Sequence, residues 1–421
     1  MKVLVLGAGV VGVATAYALM KAGHRVVVID RREGPGLETS FANGGQISAS
    51  HAEPWANPAA IGQMLRWILR DDAPLLFRFR VDPALWAWGL RFLANCTPAR
   101  TRANTERILR IAVYSRICLN EIAAAEGLDF DRLRKGILMF YRSDKDFRHG
   151  VATAALMKAA GCACEVLDRA ACVALEPALA DAAPRLFGGV FVPDDESGDA
   201  YKFTTGLAAV AAAGGVEFRY EVAATGLRRG AGRIEGVETD RGTLTADRYV
   251  LALGSYSPLL LKPLGLSLPI YPAKGYSATL DLARDALAPT VSLMDVATKI
   301  VYSRLGDRLR VAGTGEFAGY DTGIDPRRSR ALVQSALDLF PRLGTGDDAS
   351  FWAGLRPSTP DGVPIIGASR FANLILNTGH GTLGWTLACG SARIVADLID
   401  GRTPAIDLAG MGAERFARFE K

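Results

Sequence analysis

The segment Gly7-Ala8-Gly9-Val10-Val11-Gly12 spaces three glycines as G-x-G-x-x-G. That pattern suits the binding of a pyrophosphate. Gly7 permits a tight turn, Gly9 lets the backbone approach a phosphate with no Cβ in between, and Gly12 lets the following helix lie close to the preceding strand. A helix opening at Val10 and Val11 aims free N–H groups and a positive dipole end at the phosphates. Asp30 follows Gly12 by eighteen residues. At that separation a carboxylate accepts hydrogen bonds from ribose hydroxyls. The acid argues against a 2′-phosphate, because like charges would meet. Arg31 and Arg32, directly after it, argue the other way.

The flanking elements decide how much this motif is worth. Val3 to Leu6 reads as a buried parallel strand, the helix runs to about Ala22, Gly23 stops it, and Arg25 to Ile29 reads as a second strand. A G-x-G-x-x-G alone is weak. Framed by a βαβ unit and an acid it predicts a dinucleotide. The bland alternative is a Gly-rich turn without a ligand. The apolar start is broken by three glycines and leads into a strand, so a signal peptide is not expected.

Three later segments favour FAD over NAD. Thr39-Ser40, with Asn43-Gly44-Gly45-Gln46-Ile47, places hydroxyls and small residues where a loop would lie along a pyrophosphate and a flavin edge. Ala252-Leu253-Gly254 ends a strand, as where a chain returns beside a nucleotide. Gly379-His380-Gly381-Thr382-Leu383-Gly384 is a Gly-rich turn between a strand and a helix. A helix N-terminus there would stabilise the negative charge that develops on a flavin pyrimidine ring on reduction. FAD is expected to bind non-covalently, because no Cys or His falls at a recognised attachment motif.

Composition excludes little but bounds the answer. The chain has 421 residues, 49% hydrophobic and 22% charged, with a net charge of +5. That fits a folded protein of two domains rather than a disordered one. Arginines are spread along the chain, so nucleic acid is not an expected partner. Six cysteines and four histidines show no metal-ligand spacing, so no metal site is expected and the thiols read as reduced. No apolar run of about 18 residues is present to span a membrane as a helix.

The motifs VLGAGVVGVATAY, ETSFANGGQIS, FTTGLA, ALGSYS, YPAKGYS, FWAGLRPSTPDGVPIIG and NTGHGTLGWTLACG run nearly end to end. Through them the chain resembles the D-amino acid dehydrogenase small-subunit family, within the FAD-dependent glycine/D-amino acid oxidase-like oxidoreductases. The resemblance implies oxidation of an amino acid Cα–H to an imine, hydrolysed to a 2-oxo acid and ammonia, with electrons passed to a quinone-type acceptor. It assigns Arg356, in Gly354-Leu355-Arg356-Pro357, to the substrate carboxylate. A planar guanidinium fork suits that task. The backbone at Val222 is implied to contact adenine. Tyr276, Tyr302, His51 and His380 are candidates to assist, each with a packed core residue as the alternative. Thr382 departs from glycine oxidase, which has a charged residue there, so side-chain specificity is not carried over. Other readings are an O2-using oxidase, a dehydrogenase of a cyclic secondary amine such as D-proline, and a non-catalytic FAD-binding module.

The expected fold class is α/β: a Rossmann-like FAD-binding domain from 1–48, 198–262 and 352–421, and an α+β substrate domain with an antiparallel sheet from 49–197 and 263–351. Val222–Arg228, Arg233–Thr239 and Gly242–Thr245 read as a β-meander. A helical insertion at 58–120 carries Trp67, Trp86, Trp88, Leu90 and Phe92 interleaved with arginines. It reads either as a membrane-interface surface or as a helical pair packing on the substrate domain. The expected location is cytoplasmic, peripheral on the inner face of the cytoplasmic membrane in the first case.

Overall fold

The structure, a computed structural model, describes residues 1–67, 74–78, 81–159, 161–283 and 287–419. Two large sheets organise it. The first has six strands, in the order Ile365–Ala368, Leu374–Thr378, Arg248–Leu251, Lys2–Leu6, Arg25–Ile29, Glu217–Arg219. All its joints are parallel except that between the first two. Parallel strands need both faces covered, and the runs VLVL and VVVI supply apolar residues to both. On one face pack the helices Val10–Lys21, Ala200–Ala213 and Gly384–Ile399. Val10–Lys21 is buried almost all round, because it is wedged between the other two helices and the sheet. The 29-residue helix Pro98–Glu126 lies outside Gly384–Ile399. Thr97 caps its start and Gly127, at φ 60°, ends it. The other face is covered by the three-stranded meander Ala224–Arg229, Ile234–Thr239, Gly242–Leu244.

The second sheet runs Ser350–Ser358, Tyr271–Asp281, Arg308–Phe317, Ile300–Leu305, Ser292–Asp295, Ile137–Tyr141, Gly188–Val192, Glu165–Asp168, with Leu75–Phe77 paired to Arg308–Phe317. It is antiparallel as expected, except at two joints: Ser292–Asp295 with Ile137–Tyr141, and Leu75–Phe77 with Gly315–Phe317. The expected boundary at 352 falls inside Ser350–Ser358, which pairs with Tyr271–Asp281 over nine residues and belongs to this second sheet. Behind the sheet, Leu332, Ala336 and Leu339 of the helix Pro326–Leu339 close a core with Tyr276, Tyr302 and Val311.

The insertion is helical as read: Pro58–Trp67, Pro83–Asn95 and Pro98–Glu126. The Trp67 side chain, Ile68, Leu69, Arg70, Phe79 and Arg80 lie outside the described residues. The two described tryptophans of the insertion part ways. Trp88 is buried against Phe92, Tyr271 and Phe317, and its Nε1–H donates to Ser358 O at 2.8 Å. Trp86, Leu90 and Leu93, at i, i+4 and i+7, are 60%, 71% and 43% exposed. No described helix is long and apolar enough to cross a membrane.

Candidate active site

A cleft of about 420 Å3 runs from the first sheet to the second. At one end lie Ala223 to Thr225, in the middle Gly7, Gly9 and Ser40, and at the other Gly275, Trp352 and Arg356. The glycine loop is built as its spacing demands. Gly7 has φ +106°, and a Cβ there would sit 2.6 Å from Ala252 O. A Cβ on Gly12 would sit 1.9 Å from Gly7 O, inside the turn itself. Gly9 differs: the nearest atom to its Cβ would be Ser40 Oγ at 3.6 Å, so only a ligand needs that space. Asp30 ends its strand with Oδ2 accepting the Ala8 N–H at 2.7 Å and Oδ1 accepting the Arg32 N–H at 2.9 Å. Burial pushes its carboxyl up, and the two N–H groups oppose that rise. The Val222 N–H donates to Asp30 O at 2.9 Å, which holds the segment leading into Ala224–Arg229 beside Asp30.

The arginines after Asp30 are both spent. Arg31 Nη2 and Arg32 Nε each lie 2.7 Å from Glu38 Oε1, and Arg31 stacks on the Tyr256 ring at 4.0 Å. Arg31 lines the cleft and Arg32 does not. Glu38 offsets one of their two charges and holds both guanidinium groups, which weakens their pull on a 2′-phosphate.

Within the expected flavin-edge loop, Thr39, Ser40, Asn43 and Gly44 line the cleft. Ser40 Oγ accepts the Val10 N–H at 3.1 Å, and Thr39 Oγ1 donates to Leu355 O at 2.8 Å. Ser255 Oγ reaches the same carbonyl at 3.1 Å. Gly45, Gln46 and Ile47 do not line the cleft, which corrects the sequence reading. Gly45 packs against Ser303 and Leu305, Gln46 Nε2 donates to Ser292 Oγ at 2.9 Å, and Ile47 is buried opposite Glu196. Gly45 and Gln46 fasten the loop to the second sheet instead, and Ile47 pairs it with Glu196 in a small two-stranded sheet.

Ala252, Leu253, Gly254, Val10, Val11 and Val222 line the cleft, as do Gly354, His380, Gly381, Thr382 and Gly384. Gly379 stands behind it, where a Cβ would meet Thr359 Cγ2 at 2.9 Å, and Leu383 faces a small neighbouring cavity. No side chain caps the N-terminus of Gly384–Ile399, which the turn Gly381–Leu383 leads into from the cleft. Three buried atoms of cleft residues have no partner among the described residues: Asn377 Oδ1, His380 Nε2 and Trp385 Nε1. Buried polar atoms are seldom left so unless a ligand or water completes them. Burial pushes the His380 imidazole down to about 3, so it is neutral.

Of the catalytic candidates, one stands in the cleft with its polar group available. Arg356 projects over Gly275, where a Cβ would lie 2.3 Å from its Cζ. Gly354 and Trp352, two and four residues upstream, share that face of the strand. The guanidinium makes one described hydrogen bond, Nη1 to Thr314 O at 2.8 Å, and pairs with no described carboxylate. Burial alone pushes it down to about 10, so the site favours an anion beside it. Tyr276 borders the cleft, but its ring turns into the core behind the sheet and its hydroxyl donates to Glu316 Oε2 at 2.5 Å. Tyr302 is off the site. Its ring packs on Phe340 behind the sheet and its hydroxyl bonds Ser335 Oγ at 2.6 Å. Its neighbour Val301 faces the other way and meets Gly44. His51 is also off the cleft, in the small cavity, with Nδ1 held by Ser48 Oγ. Burial, and secondarily Lys299, push it down to about 4. Gly275, Trp352 and Tyr256 line the cleft without having been singled out from the sequence. Only the pairing of Tyr271–Asp281 with Ser350–Ser358 brings Gly275 under Arg356.

An open cradle at Gly9, an acid at the ribose position, and unpartnered polar atoms at the far end fit an elongated dinucleotide with a polar ring system. A family model for FAD dependent oxidoreductases matches residues 2–398. The chain belongs to the FAD-dependent oxidoreductases. It is 57% identical over 420 residues to a D-amino acid dehydrogenase of Paramagnetospirillum magneticum, covering 100% of both chains. It is 53% identical to one of Dechloromonas aromatica, covering 96% of this chain and 98% of that one. Among solved structures it resembles L-proline dehydrogenase from P. horikoshii, with a TM-score of 0.78, 18% identity, and 99% and 98% of the two chains covered. It likewise resembles glycine oxidase from Geobacillus kaustophilus, with a TM-score of 0.76, 22% identity, and 98% and 97% covered. This FAD-dependent oxidoreductase thus shares its whole architecture with them, glycine loop to C-terminal helix.

Proposed function

We propose that this oxidoreductase is a D-amino acid dehydrogenase that oxidises D-amino acids to 2-oxo acids and ammonia. The observation that carries the reading is Arg356, a half-buried guanidinium without a described carboxylate partner, facing the cleft beside Gly275 and Trp352. A substrate carboxylate would complete it with bidentate, charge-assisted hydrogen bonds. FAD, held by Gly7 to Gly12, Asp30, Ser40 and Gly381 to Gly384, would supply the hydride acceptor when bound. We assign it as non-covalent: no cysteine lines the cleft, and all six are buried elsewhere.

The chain's own residues contribute orientation and exclusion. Arg356 fixes the carboxylate, and Trp352 walls the space next to it. Holding a reactant at one angle removes rotational freedom before reaction. Among the described residues no lining carboxylate stands at the Arg356 end to take the ammonium proton, and burial leaves His380 too weak a base to take it. The substrate amine therefore enters the reaction already deprotonated, and kcat/KM rises with pH until that amine is neutral.

Electrons leave to a quinone-type acceptor in this reading. The exposed row Trp86, Leu90 and Leu93 is the surface we assign to peripheral membrane contact, an apolar face on one side of an amphipathic helix. Trp88 takes no part in it. The deciding experiment is an anaerobic flavin-bleaching screen with paired D- and L-amino acids, D-proline and glycine. Bleaching by D-amino acids alone supports the reading; bleaching by L-amino acids or by none sinks it. Peroxide formation under air would point to an oxidase.

A further inference from the structure

Arg356 is oriented by one backbone carbonyl, and that carbonyl is held in an unusual place. Thr314 O accepts from Arg356 Nη1 at 2.8 Å. Thr314 has φ +53°, a left-handed conformation that a β-branched residue adopts only when its surroundings impose it. Between Tyr271–Asp281 and Arg308–Phe317 the register jumps there: Tyr276 faces Gly313, but Lys274 faces Glu316. One extra residue is looped out, which is a β-bulge. The neighbouring strand cannot hold that residue, so the bulge must be fixed from its other side.

The insertion does this. Leu75–Phe77 pairs in parallel with Gly315–Phe317, and the Gly315 N–H donates to Pro74 O at 2.7 Å. Arg78 N–H donates to Phe317 O at 3.3 Å, and Arg78 Nε lies 2.8 Å from Glu316 Oε1. The other carboxylate oxygen takes the Tyr276 hydroxyl, and Lys274 Nζ is 3.4 Å away. Glu316 is buried, so each of its oxygens needs its partner. A Cβ on Gly315 would meet Leu75 Cδ1 at 2.8 Å, so the two strands lie close there and Leu75 would have to move.

We infer that Arg78 is a positioning residue for the substrate carboxylate: through Glu316 and the Thr314 bulge it sets the plane of the Arg356 guanidinium. This rests on Arg356 being the carboxylate anchor. Losing Arg78 lets Glu316 and the bulge shift, the Thr314 carbonyl turns, and Arg356 loses its fixed angle while keeping its charge. The effect falls on carboxylate binding rather than on the hydride step.

The test uses FAD-loaded protein, with Arg78→Ala, Arg78→Lys, Thr314→Gly and Arg356→Ala compared. KM and kcat for D-alanine are measured, with the Kd of propionate read from flavin absorbance. Rates with D-alanine amide, which lacks the carboxylate, serve as the control. Arg78→Ala should raise KM and the propionate Kd roughly tenfold and leave kcat within about twofold. D-alanine amide should show under about twofold change, and Arg78→Lys should recover part of the loss. Thr314→Gly keeps the carbonyl but relaxes the bulge, and should shift propionate binding in the same direction if Arg78→Ala does not fold. Unchanged propionate binding in the folded variant, or an equal loss with the amide, overturns the inference. If Arg356→Ala also leaves propionate binding unchanged, the anchor assignment falls with it. If Arg356→Ala loses binding and Arg78→Ala does not, only the positioning role falls.

Discussion

On the proposed reading, the two ends of the cleft recognise their ligands by different means. At the first sheet the contacts come from backbone: glycines that admit no Cβ, N–H groups at two helix starts, and the single carboxylate of Asp30. At the second sheet they come from a side chain, Arg356, whose direction is set by strand register and by a bulge. A backbone site tolerates almost any change that is not a new atom in the wrong place. A side-chain site tolerates new atoms but not a lost charge or a turned plane. On that reading, the half that would hold a constant cofactor tolerates few new atoms, and the half that would meet a substrate tolerates more.

Substitutions can break or sharpen that contrast. The largest effect should come from Arg356→Ala, which strips the anchor from a buried charge pair. It should cost about 2–5 kcal/mol in kcat/KM while FAD affinity, read by flavin fluorescence, stays near wild type. A parallel loss of FAD would mean that the two ends are not separable. Arg356→Lys should rescue little, because a point charge does not reproduce the fork. Next comes Gly9→Val on the backbone side. It should weaken FAD by about 1–3 kcal/mol through overpacking, with the apoprotein's melting temperature unchanged, since the Cβ meets nothing nearer than 3.6 Å. A destabilised apoprotein would show that Gly9 serves the fold and not the ligand.

The smallest concerns His380, at the seam between the ends. Its folded pKa lies well below that of the unfolded chain, so its contribution to stability is full above about pH 6.5. It is lost as pH falls from there toward about 3, where the folded imidazole at last takes its proton. Between pH 7 and pH 5 this amounts to about 2 kcal/mol. His380→Asn should lose that part of the acid sensitivity in chemical denaturation. An identical pH slope in wild type and variant would refute the assignment.

The same contrast explains what the sequence made legible. Backbone chemistry leaves its mark on residue type, because only glycine fits Gly7 and Gly12. The βαβ unit, Asp30 and the Gly381–Gly384 helix entry could thus be read directly. Side-chain direction leaves no such mark. Tyr302 and Val301 are adjacent and face opposite sides of one strand, and a shift of one residue would exchange them. Trp86 and Trp88 sit two apart on one helix, one in solvent and one in the core. Gly44 and Gly45 were read as making room for a ligand, yet both also give way to Val301, Leu305 and Ser303 of the second sheet. Gln46 looked like a ligand contact and is a tether. The bulge at Thr314 has no signature in the chain at all, since it exists only through the partners on either side.

The Leu355 carbonyl joins the two halves, accepting one hydroxyl from Thr39 and another from Ser255. Both donors line the cleft near the glycine loop, and the acceptor sits next to Arg356 in the chain. The consequence concerns inheritance. A segment carrying a new substrate preference cannot be transplanted between relatives as Ser350–Ser358 alone. It must travel with, or land beside, hydroxyls at both distant loops. Recombination that separates the three would leave a folded sheet whose arginine no longer keeps step with the nucleotide loops.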